Sequence, residues 1–413
     1  MTAARTSPAS ADRAAYLRHV CGLLWPPPAE AALVPGGRNG SASGEPADAE
    51  FIVLPGIANP RLVVPSKRRA SAVAVRRYGE PGSARTWLAT RALSAVLASG
   101  AGPLVLRDRV FVRVPPGAQT IESYLGSVLG RRVMIGMHLG AARANRKPVL
   151  QLLDTDGDTI GYAKIGINAL TADLVRAERA ALELLAGARL KGLEVARVLD
   201  GGSWHGMEVL VLSALPVWRK RVPLRPGQLG HAMAELASVP GIRRSALTAS
   251  EYWKRLESRL EGMGSGREQD AVRDALSKLA DRAGTAALGF GACHGDWTPW
   301  NMANTRGGLL VWDWERFTVG PPVGFDPLHY WLQANTVGKR GDPGQAAAEC
   351  VTQAPRLLDP LGVPPGEARV TALLYLADLA VRYLSDRQEQ AGARLGAPRL
   401  WLIPALSSGV TAL

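Results

Sequence analysis

Two short segments hold the residues best suited to chemistry. The first is Cys293-His294-Gly295-Asp296-Trp297-Thr298-Pro299-Trp300-Asn301, and the second is Leu309-Leu310-Val311-Trp312-Asp313-Trp314-Glu315. Asp296 and Asn301 stand five residues apart on a loop, so a carboxylate and a carboxamide can point toward one cleft. Twelve residues after Asn301, Asp313 ends an apolar strand candidate. Moving a phosphoryl group needs a base or orienter for an acceptor hydroxyl, and hard oxygen ligands for Mg²⁺. Asp296 suits the first role; Asn301 and Asp313 suit the second. Gly295 permits a tight backbone approach, and His294 can lock the loop by hydrogen bonding to backbone.

Rival chemistries fit less well. His294-x-Asp296 could be the metal pair of a hydrolase, but that needs further ligands, and His19, His138, His205, His231 and His329 show no ligand-like spacing. Cys293 beside His294 makes a poor thiol–base pair, because adjacent strand residues point to opposite faces. Asp154-Thr155-Asp156-Gly157-Asp158 resembles a calcium loop until its twelfth position, which is Ile165 where a Glu is required. It reads as a hairpin turn.

His294-Gly295-Asp296-x-x-x-x-Asn301 followed by Val311-Trp312-Asp313-Trp314-Glu315 resembles the catalytic loop and metal strand of the aminoglycoside phosphotransferase and choline kinase group. That group has a protein-kinase-like fold. The resemblance implies ATP and Mg²⁺ as cofactors, Asp296 as catalytic base, and Asn301 and Asp313 as metal ligands. The five-residue Asp-to-Asn gap is also that of the protein-kinase catalytic loop. It implies further that Lys164, on a strand, meets the ATP phosphates and that Glu178, on the next helix, holds that lysine; Glu183 is the weaker alternative. Taken alone, a strand lysine reads as an edge charge.

The segment Gly136 to Ala142 takes the place of the phosphate-covering loop. It lacks a GxGxxG, so the implied contacts are backbone N–H groups around Gly140 and Ala141. Leu212 to Leu215, including Ala214, would be the hinge that meets the adenine edge. Asp326, in Phe325-Asp326-Pro327-Leu328, is placed to cap the following helix. A non-catalytic nucleotide-binding or scaffold protein on the same fold stays open. Retention of Lys164, Asp296, Asn301 and Asp313 together speaks for an enzyme.

The elements that must position these residues make an α+β, bilobal chain. Strands are expected at 133–138, 148–153, 159–165, 195–199 and 208–212, with one amphipathic helix over 172–185. This small antiparallel-sheet N-lobe, 131–216, precedes a mainly helical C-lobe, 217–413, carrying the catalytic and acceptor sites. Residues 1–50 read as a helix (11–24) and a mobile linker (26–50), the latter from Pro26-Pro27-Pro28, Gly36-Gly37 and Ser41-Ala42-Ser43-Gly44. Residues 51–130 form an α/β N-terminal extension without a chemical motif. In it strands are expected at 51–54 and 62–64, a helix from the Ser66 cap to Arg77, a second over 84–98, and a strand or hairpin over 104–114.

Of 413 residues, 47% are hydrophobic and 21% charged, with a formal charge of +13. The excess is uneven: residues 1–150 hold 20 Lys+Arg against 8 Asp+Glu, whereas 314–413 hold 9 of each. The basic third could meet an anionic partner or a membrane surface. Its scattered arginines equally fit a solvated surface, and only eight of the 49 basic residues are lysines, as in GC-rich genomes. No reader motif points to nucleic acid, and no protein partner is inferable. No apolar run spans a bilayer, the first 26 residues lack the apolar core of a secretory signal, and three scattered cysteines favour a reducing cytoplasm.

The acceptor is expected to be a small hydroxylated molecule: a sugar, a metabolite alcohol or an antibiotic-like compound. Only 13 residues separate Asp313 from Asp326, too few for a peptide-docking segment. Polycationic acceptors would want an acidic pocket, and the neutral C-terminal hundred residues lower that option, so a neutral or anionic acceptor is expected. Trp297, Trp300, Trp312, Trp314 and Trp331 read as core, or as apolar faces for a sugar.

Overall fold

The hairpins expected between Val133 and Ile165 form, and they sit in the middle of a much larger sheet. The computed structural model describes residues 8–37, 46–79 and 84–413. Two compact units are present: the chain up to Val175 with Arg197–Trp218, and Arg176–Ala196 with Arg219–Leu413.

In the first unit, helix α1 (Pro8–Leu24) leads into β1 (Glu30–Val34), β2 (Ala49–Leu54) and β3 (Leu62–Pro65). Helices α2 (Arg68–Gly79), α3 (Ala84–Ser99) and α4 (Gly102–Val105) precede β4 (Arg109–Arg113), α5 (Ile121–Leu129), β5 (Met134–His138), β6 (Val149–Leu153) and β7 (Thr159–Gly166). The chain then leaves through α6 (Ala169–Ala186) and the two-residue β8 (Leu193–Glu194), which belong wholly or partly to the second unit. It returns as β9 (Val198–Trp204) and β10 (Met207–Ser213). The nine-stranded sheet runs β1-β4-β2-β3-β5-β6-β7-β10-β9, and all its pairings are antiparallel.

Local chemistry explains the ordered parts. Asp154 closes the β6–β7 turn by accepting from the N–H groups of Asp156 (3.1 Å) and Asp158 (2.9 Å), with Gly157 at φ 85°. Asn168 and Thr171 cap α6 reciprocally: Asn168 Oδ1 accepts from the Thr171 N–H and Thr171 Oγ1 from the Asn168 N–H. Alternate strand residues such as Ile135, Met137, Leu150, Leu152, Ala163 and Ile165 are buried in one core with Leu17, Val20 and Leu24 of α1. Each large aliphatic contributes about 1.5–3 kcal/mol on burial.

Three expectations need correction. The stretch read as a mobile linker contains β1, paired with β4 from Glu30↔Arg113 to Val34↔Arg109. Its partner lies some eighty residues on, so no local pattern announces it; the Ser41–Gly44 part of that linker lies outside the described residues. Residues 104–114 begin in the helical turn α4, with Pro103 in its first turn, and become a strand only at Arg109. The strand expected at 195–199 starts at Val198 and continues through Gly201-Gly202 to Trp204. Its glycines pair opposite β10 instead of turning.

The second unit is built around helices α7 (Gln228–Ala237), α8 (Glu251–Glu261), α9 (Arg267–Ala283), α10 (Phe325–Gln333), α11 (Pro343–Leu358), α12 (Pro365–Ser385) and α13 (Leu402–Thr411). Its two small sheets are β11 (Arg243–Ala246), β12 (Ala287–Cys293) and β15 (Thr318–Pro322), and β13 (Met302–Thr305) with β14 (Gly308–Val311) and β8. Helix α12 is buried on nearly every side from Ala372 to Ala377. A helix apolar all round has to be internal, and α12 accordingly forms the axis of the helical core with Leu256, Leu276, Leu328 and Leu406. Among the described residues no helix is long and apolar enough to cross a membrane.

Candidate active site

The two motif segments meet at one end of the β13–β14 hairpin. Met302 pairs with Val311, and the Trp312 N–H donates to the Asn301 carbonyl at 3.0 Å, so Asn301 and Asp313 leave the hairpin side by side. Strand β8 pairs in parallel with β14, Leu309↔Leu193 and Leu310↔Glu194, which brings the chain just beyond α6 beside the same strand. Asp313 adopts the left-handed conformation (φ 72°, ψ 56°), one that Asp and Asn tolerate better than most residues. The turn after it is tied down by Glu178, whose Oε1 accepts from the Trp314 N–H at 3.2 Å.

The loop before Asn301 is held rigidly. His294 is fully buried; its Nδ1 accepts from the Asp296 N–H (3.2 Å) and its Nε2–H donates to the Trp312 carbonyl (3.1 Å). Both bonds are made by the neutral ring, and burial depresses the His294 pKa to about 4. Gly295 has φ +76°, and a Cβ there would lie 2.3 Å from the Arg316 carbonyl oxygen. Only glycine fits that approach.

Asp326 does not cap α10. Gly324 occupies the cap position without a side-chain bond, and Asp326 sits inside the first turn. Its carboxylate instead accepts from the N–H groups of His294 (2.8 Å) and Gly295 (3.0 Å). Burial raises its pKa to about 7, with the Asp296 charge adding to the rise and the two N–H bonds opposing it. Asp326→Ala strands two buried donors, so the unfolding free energy should drop by about 2–5 kcal/mol. Urea titration measures this; an unchanged midpoint would show that the loop is held by something else.

Asp296 is gripped on both oxygens. Oδ2 accepts from Asn301 Nδ2 (3.1 Å), which also donates to the Asp296 carbonyl (2.9 Å), and Oδ1 meets His329 Nε2 at 3.1 Å. An ionised carboxylate can only accept, so Nε2 carries the hydrogen and His329 Nδ1 accepts from the Tyr375 hydroxyl at 3.0 Å. Burial depresses the His329 pKa, consistent with this neutral form. For Asp296 itself desolvation pushes upward, but the His329 bond and the positive field of Arg382 outweigh it, and the net shift is downward. Arg382 donates to the Gly295 carbonyl at 2.7 Å.

Ligand oxygens of Glu178, Asp313 and Glu315 all lie within 4.8 Å of one another. Glu178 and Glu315 are buried. In the first unit, Lys164 is buried on β7 between Val149 of β6 and Leu210 of β10, so it is no edge charge. Gly140 and Ala141 follow β5, Leu212 lies on β10, and Ala214 follows that strand.

The motif does not point to His329, Tyr375 and Arg382, nor to Glu315 as a member of the carboxylate cluster. His329 had one usable signal: it stands three residues after Asp326, hence on the same helical face. Tyr375 and Arg382 had none, because α12 reaches the loop only through the packing of the helical core.

A sequence profile of the phosphotransferase enzyme family (APH) matches residues 98–361. Among solved structures the chain is similar to aminoglycoside phosphotransferase APH(4)-Ia in a ternary complex with AMP-PNP and hygromycin B. That likeness has a TM-score of 0.46 and 15% identity, covering 71% of this chain and 99% of that one. It is similar also to choline kinase LicA from Streptococcus pneumoniae, with a TM-score of 0.43 and 16% identity over 71% and 98% of the two chains. No curated protein matches it.

Proposed function

Since this chain belongs to the phosphotransferase enzyme family, with its α+β protein-kinase-like fold, we propose that it moves the γ-phosphate of ATP to a hydroxyl group of a small molecule, with Mg²⁺ as cofactor. The observation that carries the reading is the Asp296 carboxylate, held on both oxygens beside a cluster of hard oxygen donors. The segment between Asp313 and α10 holds only a short turn and β15, leaving no peptide-docking stretch, which supports a small acceptor over a protein.

Three clustered carboxylates suit a hard divalent cation. Asp313 and Glu315 would hold Mg²⁺ together with the Asn301 carboxamide oxygen, whose amide nitrogen is already engaged by Asp296. Bound there, the cation supplies charge neutralisation on the phosphate oxygens. Lys164 is assigned to the phosphates with Glu178 as its holder, Gly140 and Ala141 to phosphate contact through backbone N–H groups, and Leu212 to Ala214 to the adenine edge. Thr298 Oγ1, buried and without a hydrogen-bond partner among the described residues, is a further donor for a phosphate oxygen.

In the transfer, the acceptor oxygen bonds to the γ-phosphorus, the bridge to the β-phosphate breaks, ADP leaves with the electron pair, and the hydroxyl proton passes to Asp296. The low basicity of Asp296 is no obstacle, because a loose phosphoryl-transfer transition state needs orientation more than a strong base. His329 and Asn301 fix that orientation and leave the remaining carboxylate lone pairs for the acceptor. The buried, unpaired Cys21, Cys293 and Cys350 support a reducing cytoplasm as its compartment.

Label transfer from γ-³²P-ATP to a panel of hydroxyl compounds tests the reading; Mg-ATP binding without transfer to any of them counts against it. Within that assay His329 is a positioning residue. His329→Ala should lower kcat about tenfold or more with the KM for ATP little changed, while His329→Gln, which can still donate to Asp296, recovers part of the loss. A His329→Ala kcat within about twofold of the parent would remove His329 from the mechanism.

A further inference from the structure

The second unit contains a cavity of about 340 Å³ whose wall includes Gly295, next to Asp296 in the chain, and His329, bonded to the Asp296 carboxylate. That volume stands at the small end of ligand pockets, roughly 300–1,000 Å³, and fits a compact metabolite better than an extended oligosaccharide. Its apolar side comes from Tyr252 and Leu256 of α8 and Leu379 of α12.

The charge around it is lopsided. Arg255, Arg259, Arg316 and Arg382 line the cavity against two carboxylates, Glu315 and Asp378. Arg259 is paired with Asp378 at 3.0 Å, Arg316 with Asp386, and Glu315 gathers with Glu178 and Asp313. Arg255 differs. Its guanidinium donates to the Val319 carbonyl at 3.2 Å, and the Glu251 carboxylate one turn earlier on α8, whose charge it feels, is hydrogen-bonded to Lys254 at 2.8 Å. Gly320, at φ +98°, lies beside it, and a Cβ there would fall 2.6 Å from Arg255 Nη2. A guanidinium held against the cavity by a backbone carbonyl keeps its other donors for an anion.

We propose that this cavity is the acceptor site and that Arg255 recognises a carboxylate or phosphate on the acceptor, so that the substrate is a small hydroxylated anion. The proposal rests on the phosphotransferase reading. The hydroxyl end of such a molecule lies toward Asp296 and its anionic end toward α8. A cationic alcohol meets the same arginines as like charges and is rejected.

Calorimetric titration of the full chain with gluconate, glycerol 3-phosphate, glycerol and choline tests this, alongside label transfer to the same four compounds. At least one of the two anions should bind, which of them telling carboxylate from phosphate, while glycerol and choline bind at least about tenfold more weakly. Arg255→Gln, a change on an exposed helix face, should weaken anion binding by about tenfold or more. Binding of glycerol or choline as tight as that of the anions, no binding of either anion, or an Arg255→Gln affinity within twofold of the parent overturns the proposal. Charge-selective binding abolished by Arg255→Gln, but with no label transferred, upholds the anion site and strikes the phosphotransferase reading instead.

Discussion

Asp296→Asn should lower kcat for phosphoryl transfer by about 10²–10⁴-fold, the range attributable to a positioned acid–base group. The substitution keeps the shape of the side chain but turns one acceptor oxygen into a donor. His329 Nε2 and Asn301 Nδ2 both donate to that side chain, so one of them then faces an N–H group. The acceptor hydroxyl also loses the anion that orients it. Binding of ATP should persist, because Asp296 is assigned to the acceptor and not to the phosphates. Single-turnover kinetics with a nucleotide-binding titration separates the two effects. A variant that turns over at half the parental rate would show that the base lies elsewhere, whereas one that loses ATP binding would show that the loop itself had collapsed.

Asp313→Asn should weaken the apparent affinity for Mg²⁺ by at least roughly 100-fold, since even the outer partners of metal ligands are worth about 10–100-fold. Asparagine is the informative choice here. It tolerates the left-handed backbone at φ 72° that alanine would strain, so a lost activity reports on the carboxylate and not on the turn. Stability should move the other way. Glu178, Asp313 and Glu315 crowd three acidic groups within 4.8 Å, and like charges in a part-buried site repel. Removing one charge should leave the melting temperature of the metal-free protein unchanged or raised. Magnesium titration of the reaction rate and thermal unfolding in chelator check the two halves. A variant with unaltered magnesium dependence, or one that melts markedly lower, would remove Asp313 from the cation site.

The motif was open to reading because it is local. The Asp296–Asn301 spacing, the apolar run into Asp313 and the glycine before Asp296 lie within one stretch of about twenty residues, and the β13–β14 hairpin brings them together. The β5–β6–β7 hairpins were equally plain, since the turn chemistry at Asp154–Asp158 is short-range hydrogen bonding, whereas α6 was expected only from 172 and starts at Ala169, behind the Asn168–Thr171 cap. The rest depends on partners far away in the chain. Strand β1 exists because β4 offers it an edge, and an isolated Glu-Ala-Ala-Leu-Val carries no signal of that. Asp326 looked like a cap from its neighbours alone, yet tertiary packing turned its carboxylate onto the His294 and Gly295 amides 31 and 32 residues earlier.

What the residues determined by themselves was the local arrangement of Asp296, Asn301 and Asp313, the groups proposed for the proton and the metal, in an order that the β13–β14 hairpin preserves. What only the tertiary structure decided was how that arrangement is supported and what it faces. The Tyr375–His329–Asp296 chain joins helices α10 and α12 to the loop, and the arginines of α8 and α12 meet across one cavity. Periodicity tells which face of each helix is buried; it does not tell which other helix that face will meet, because hydrophobic burial is non-directional and the pairing is chosen by the shape of the whole core.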